Sequence, residues 1–291
     1  MSSDIMPMTE PRSRRQRSQG SGATDAALLF DEPGPRGRIL IAIGSVVAVI
    51  GIAALAAAVL YRLDLAGQLD YPKWRYFLGQ SVVSQLLEAA GTTLTLGGVA
   101  AVLTFPLGIA LGWLRLLDNR PIKWLVGLWI DAMRAVPMLL LVYFFLLVVP
   151  RFATISDFWK LALPIVMCTS ATTAEVFRSG VRALDRGQTE AAWALGMSPS
   201  LTMRLILAPQ ALRLMLPTLI TQMVTIIKGT TLAYVLAYPE LMYRGSTMIG
   251  QAKIDAHLSV FFQTYVIIAV LYIIVNWSLG ALARYIESHT R

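Results

Sequence analysis

The chain has 291 residues, 56% of them hydrophobic and 14% charged, with a net charge of +8. Soluble domains carry about 25% charged residues, so this composition excludes an ordinary soluble domain and points to an integral membrane protein. The basic residues sit in short gaps between apolar runs and form no single face, which excludes nucleic acid as a partner. Cys168 is the single cysteine and lies inside an apolar run, which excludes an intrachain disulfide and a CxxC site and leaves packing as its role. The two histidines, His257 and His289, are far apart, so zinc chemistry and Ser-His-Asp catalysis have no support. No metal or catalytic residue is assigned.

Residues 1 to about 36 are rich in Ser, Gly, Pro and Arg. Such a segment buries too little apolar surface to fold alone, and it is too interrupted for a signal peptide. We read residues 1–38 as a disordered basic cytoplasmic tail, a solvated extension carrying Arg12, Arg14, Arg15, Arg17, Arg36 and Arg38. Residues 39–61 form a 23-residue run without charge, enough to cross hydrocarbon as a helix of roughly 20 residues. The gap from Arg62 to Glu88 carries Trp74, Tyr76 and Lys73, a set suited to a membrane interface.

Five more spans follow: Thr92–Leu114, Trp124–Val149, Phe158–Phe177, Met215–Tyr238 and Leu258–Ala283, before a tail at 284–291. Gly108 and Gly112 in the second span make a GxxxG pair, which permits close helix packing but is common in membrane helices. The third span contains Asp131, Arg134 and Pro137. Asp131 and Arg134 share a helix face at a spacing of three and are placed to pair; interfacial anchoring ranks ahead of a substrate role for them. Glu175 and Arg178 repeat the spacing at the end of the fourth span. Lys228 falls near the middle of the fifth. Ionisable groups inside a span are costly and mark function, pairing or snorkelling.

Counting Lys and Arg sets the orientation. With the N-terminus inside, cytoplasmic segments hold 16 and external segments 7. The positive-inside rule then expects a multi-pass protein of the cell membrane with both termini, and the gap from Arg178 to Leu214, in the cytoplasm.

That gap holds Gln188-Thr-Glu190-Ala191-Ala192-Trp-Ala-Leu-Gly196, then Ile206-Leu-Ala208-Pro209. Glu, Ala and Leu favour helix; Gly196, Ser198 and Pro199 are a stop followed by a fresh start. The pattern predicts helix, tight Gly turn and second helix outside the hydrocarbon. Ala191 and Ala192 leave a shallow face for another protein, although an ordinary helical loop has the same composition.

The spacing resembles the coupling-helix signature of ABC importer permeases, Glu-Ala-Ala, three residues, Gly, nine residues, Ile-x-Leu-Pro, matching at Glu190, Ala191, Ala192, Gly196, Ile206 and Pro209 and departing at Ala208, where the family usually has Leu. Ala90-Gly-Thr-Thr-Leu-Thr-Leu, Asp131-Ala-Met-Arg134-Ala-Val-Pro137, Ala174-Glu175-Val-Phe-Arg178-Ser-Gly, Gly187-Gln188-Thr-Glu190 and Pro209-Gln210-Ala-Leu-Arg213-Leu-Met-Leu-Pro217 are similar to polar amino acid permeases of this kind, the MetI-like histidine/glutamine permease family. Lys228-Gly229-Thr230-Thr231-Leu resembles the family's Lys-Asp-Thr-Ser-Leu, with Gly229 in place of Asp. The tail segment Leu28-Leu-Phe-Asp-Glu-Pro-Gly-Pro resembles glutamate-uptake permeases of high-GC Gram-positive bacteria.

The resemblance implies an all-α integral membrane protein with the MetI-like type I importer permease fold: a five-helix core over 88–283, one extra N-terminal helix, and a coupling loop at 181–214. It implies a permease subunit of an ATP-driven importer of a polar amino acid, glutamate foremost. The implied partners are two ATPase subunits, a second permease (related or identical), an extracellular amino acid-binding protein and membrane lipid. Glu190, Ala191, Ala192, Gly196 and Gly187 are the implied ATPase contacts. No G-x-x-x-x-G-K-[ST] sequence occurs, so ATP belongs to a partner and the chain is no enzyme and needs no cofactor of its own. Lys228, Thr230, Thr231, Thr221, Gln222 and Arg134 are the candidate pathway residues; pairing or snorkelling of Lys228 stands beside that role. The competing reading is an ion-gradient-driven secondary transporter with Asp131, Arg134, Glu175 and Lys228 as a relay, against which no inverted repeat of broken helices is visible.

Overall fold

In hydrocarbon only a helix satisfies every backbone group within its own segment, so long uncharged runs become helices. The computed structural model describes residues 34–290, and among them eleven α-helices and no strand. The reading of a tail at 1–38 falls mostly outside the described residues.

The chain divides at Ala66 into two compact units. In the first, α1 (Pro35–Leu65) begins with Pro at its first position, where its missing N–H costs nothing. Its apolar residues face every side and stay exposed, as in a helix surrounded by lipid or by other chains.

The second unit starts with a short helix, α2 (Tyr71–Arg75), and a 3₁₀ turn over Tyr76–Leu78. Helix α3 (Gln80–Leu114) is 35 residues long, about 52 Å at 1.5 Å per residue. It starts twelve residues before the expected span, because Val82 and Leu86 bury a face in a cluster with Phe77, Met248 and Val260.

Helices α4 (Arg120–Ala135) and α5 (Met138–Leu147) replace the straight third span expected at 124–149. They meet at 96°. Pro137 forces the residue before it out of the helical region, and Val136 is extended at ψ 129°. Asn119 caps α4 through Ile122 N–H at 3.2 Å.

Helix α6 (Asp157–Arg182) is the hub. It packs along α3 and also against α4, α5 and α9. Four helical runs among the described residues are long and apolar enough to cross a membrane, and the bent pair makes a fifth. Helix α6 is long enough but carries Thr169, Ser170, Thr172, Thr173 and Glu175. Protein rather than lipid covers it, so its surface need not be apolar. Thr104 and Thr169 join α3 to α6 by a buried 2.8 Å hydroxyl contact.

The GxxxG pair sits at this contact. A Cβ on Gly108 would lie 2.9 Å from the Ser170 carbonyl oxygen, and one on Gly112 2.6 Å from that of Ala174. Close backbone approach is what such glycines permit.

After α6 come α7 (Arg186–Ala194), α8 (Pro199–Thr202), a π-helical turn over Met203–Leu207, and α9 (Ala208–Gly229). The second helix expected in the loop is thus short and merges directly into the next span. A 3₁₀ segment over Thr230–Leu236 ends at Ala237 in the left-handed region, φ 52°. The gap at 239–257 is not a plain loop; it holds α10 (Leu241–Asp255). Helix α11 (Phe261–Thr290) closes the unit.

Candidate coupling surface and pathway face

Local sequence builds the helix–turn–helix. Asp185 caps α7 by accepting the Gly187 N–H at 2.7 Å. At the other end Gly196 N–H reaches Trp193 O at 2.9 Å and Met197 N–H reaches Ala192 O at 3.0 Å. This double closure requires a left-handed residue just past the helix, and Gly196 has φ 77°. A Cβ there would meet nothing, so backbone geometry alone asks for glycine. Ser198 caps α8 through the Leu201 N–H at 3.4 Å.

The alanine pair divides. Ala192 is buried and Ala191 is exposed. Glu190 is exposed on the same helix. Around it lie Trp193, 55% exposed, and Leu195, 82% exposed, with Leu201 and Leu205 also open. Exposed large apolar residues on a short polar loop make this a candidate interaction surface. Trp193 and Leu195 were missed in the sequence reading, although two large apolar residues beside the Gly stop of a polar gap were a readable signal.

Two of the charges inside the spans, Asp131 and Glu175, form one cluster with Arg115 and Arg178. Arg115, just past α3, donates to both oxygens of Asp131, at 3.2 and 3.0 Å, and to Glu175 Oε2 at 3.0 Å. Glu175 Oε1 accepts from Arg178 Nε at 2.9 Å. The Glu175–Arg178 pairing follows the expected spacing. The Asp131–Arg134 pairing does not form: the Arg115 fork meets the carboxylate with two parallel bonds, the stronger geometry. Arg134 instead lines a cleft of about 420 Å³ with Glu175, Ser179 and Thr218.

The other pathway candidates lie on α9 and just beyond it. Thr218, Thr221, Thr225 and Lys228 are all exposed. Their spacing of 3, 4 and 3 puts them on one helix face. The Lys228 ammonium has no hydrogen bond or ion pair with any described residue. Gln222 is half-buried at the edge of this face. Thr231 bonds back to Lys228 O at 2.8 Å. Thr230 is not brought to this face: it is wholly buried, bonds to Ile227 O at 2.7 Å, and packs towards Gly97. Thr218 and Thr225 were missed, and the helical period through Thr221 and Lys228 was the signal for them.

Between α9 and α11 a second polar group is buried. Glu240 is fully buried at the start of α10. It accepts the Tyr243 N–H at 2.9 Å and the Tyr272 hydroxyl at 2.7 Å. Burial pushes its carboxyl above the usual range, against the backbone hydrogen bonds that favour ionisation.

The family model for the binding-protein-dependent transport system inner membrane component matches residues 104–289. The chain is 34% identical over 230 residues to the glutamate transport system permease protein GluD of Corynebacterium glutamicum, covering 77% of this chain and 82% of that one. It is 33% identical over 196 residues to the probable glutamine ABC transporter permease protein GlnP of Bacillus subtilis, covering 67% and 88%. Among solved structures, an amino acid ABC transporter crystallised with histidines aligns with a TM-score of 0.64 at 24% identity, over 72% of this chain and 95% of that one. The MetNI methionine ABC transporter in an inward-facing form aligns at 0.61 and 15%, over 73% and 99%. The all-helical fold, the helix–turn–helix between α6 and α9 and these matches agree: the chain belongs to the binding-protein-dependent transport system inner membrane component family, the MetI-like permeases of ABC importers, and is a membrane transport subunit, not an enzyme.

Proposed function

We propose that this permease carries a polar amino acid, glutamate foremost, along a pathway bordered by the Thr218–Thr221–Thr225–Lys228 face of α9. The observation that carries this is the face itself. Three hydroxyls and an unpaired ammonium lie on the uncovered side of a membrane helix. Thr221 and Thr225 satisfy their hydroxyl protons on the Pro217 and Thr221 carbonyls at 3.1 Å, but lipid cannot satisfy the Lys228 ammonium, so this face meets water, substrate or a second subunit. Lys228 supplies a positive charge for a carboxylate, and Arg134 a second one at the inner cleft. Gln222 and Thr231 flank the line. The names of the relatives support glutamate or glutamine as the cargo.

In the same reading a second permease, related or identical, closes the pathway from the other side. An extracellular binding protein delivers the substrate. Two ATPase subunits dock inside on Glu190, Ala191, the Trp193–Leu195 surface and the turn shaped by Gly187, Ala192 and Gly196. Both termini are cytoplasmic in this reading, which the excess of Lys and Arg in those segments supports. ATP-driven movement of the docked subunits pulls on α7 and α8. The pull reaches α9 because only the π-turn intervenes; such turns occur often at functional sites.

Cysteine accessibility tests the pathway. With Cys168 replaced by Ser, single cysteines at 218, 221, 225 and 228 in the assembled transporter should react with a water-soluble, membrane-impermeant thiol reagent. Cysteines at Leu139 and Ile273, exposed and apolar, should not. Equal reactivity at both sets removes the pathway assignment.

A further inference from the structure

One end of the core holds a cleft that no pathway or ATPase-contact residue lines, although Arg182 on its wall lies at the start of the 181–214 loop. It has a volume of roughly 380 Å³ and is lined by Arg115, Lys123, Trp124, Asp131, Arg178 and Arg182. Four cations face one carboxylate there. Glu175, bound to both Arg115 and Arg178, adds a second negative charge. The excess sits on Lys123 and Arg182, whose side chains have no carboxylate partner among the described residues. Two unneutralised cations beside a fixed guanidinium pair make a site for a phosphate group.

The rim names the source of that phosphate. Trp124 is 70% exposed, and Leu125 and Leu128 beside it are open. They belong to α4, half of the bent apolar pair, so this rim lies where acyl chains begin. Trp at that depth is the usual interfacial residue, and basic clefts between membrane helices bind anionic head groups. A lipid is favoured over a protein partner because the exposed apolar residues Trp124, Leu125, Leu128 and Trp129 carry the rim on along α4.

We propose that this cleft binds one anionic phospholipid, its phosphate between Lys123, Arg182 and the Arg115–Arg178 pair and its chains against Trp124 and Leu128. The proposal rests on the chain being membrane-embedded and not on the identity of the cargo.

The test uses the whole transporter, purified in mild detergent with its partner subunits. Bound lipid is extracted and quantified by mass spectrometry. The thermal midpoint is then followed with added phosphatidylglycerol or cardiolipin, with phosphatidylcholine, and with inorganic phosphate at equal phosphorus. The wild type should retain anionic lipid several-fold above its share in the membrane, and only the anionic lipids should raise the midpoint. Lys123→Glu should lower the enrichment to the bulk level, while Lys123→Arg keeps it. Equal anionic lipid in wild type and Lys123→Glu would overturn the proposal. So would equal protection by inorganic phosphate, which marks a free-anion site. Loss of the ATPase subunits from Lys123→Glu with lipid unchanged would also overturn it, marking a subunit contact. Uptake assays stand apart, so a wrong cargo and a wrong lipid site give different results.

Discussion

The Tyr272 hydroxyl donates to Glu240 Oε2 across 2.7 Å, tying the last helix to the start of α10. Glu240 is fully buried there, and burial holds its carboxyl above the ordinary value of 4.5. A raised native pKa means that the folded chain holds the proton more tightly than the unfolded one. The group's contribution is then full below the unfolded pKa and is lost as pH rises through the folded value. Glu240→Gln keeps the shape, accepts the Tyr243 N–H on its carbonyl oxygen, turns its amide N–H towards the Tyr272 oxygen, and cannot ionise. Its thermal midpoint relative to wild type should therefore rise as pH is raised from about 5 to about 8. Parallel pH profiles for the two proteins would show that Glu240 does not titrate in this range. Glu240→Ala should cost roughly 1–3 kcal/mol at any pH, because the tyrosine hydroxyl and the Tyr243 N–H lose their acceptor.

Gly108 and Gly98 lie on the same helix and should respond oppositely. A Cβ on Gly108 meets the Thr173 side chain at 2.5 Å and the Ser170 backbone oxygen at 2.9 Å, whereas one on Gly98 meets nothing. Gly108→Ala should destabilise by roughly 1–3 kcal/mol. Gly98→Ala should cost nothing. Midpoints in detergent for the two variants give the comparison, and similar losses would show that α3 does not approach α6 this closely.

Arg115 holds two carboxylates from two helices, Asp131 on α4 and Glu175 on α6. Arg115→Ala should cost about 1–3 kcal/mol, since both acids lose a charged donor. Arg115→Lys should recover only part of this, as an ammonium cannot supply the fork. Full recovery by Lys would mean that charge alone matters at this site.

Gly196 is glycine for its φ of 77° and not for space. Gly196→Val should weaken α7 by roughly 1–2 kcal/mol and lower both ATPase recovery and uptake. Gly196→Asn, which tolerates the left-handed region, should be milder in both. An equal loss in both variants would point to a contact with the glycine itself.

What the sequence disclosed follows from the range of the interactions involved. The apolar runs, the caps around Asp185 and Ser198 and the Gly196 turn are local, and their residue types announce them. The 96° break at Val136–Pro137 also has a local cause, but a proline inside an apolar run is read equally well as a tolerated kink. The partner of Asp131 was not legible. Arg134 lies three residues away and Arg115 sixteen, and only the packing of α3 and α4 together against α6 brings Arg115 into reach. The buried Glu240 looked like one more residue of a polar gap, because the covering Tyr272 is 32 positions on. Lys228 and Thr221 stood out singly; the face they share with Thr218 and Thr225 becomes plain once α9 is known to run unbroken from Ala208 to Gly229.

The most direct test of the central claim is uptake of labelled glutamate into proteoliposomes containing the assembled transporter, with the binding protein outside and ATP inside. The account predicts uptake that requires internal ATP, withstands an uncoupler and fails in Glu190→Arg. Uptake that proceeds without ATP and collapses with the uncoupler would contradict it.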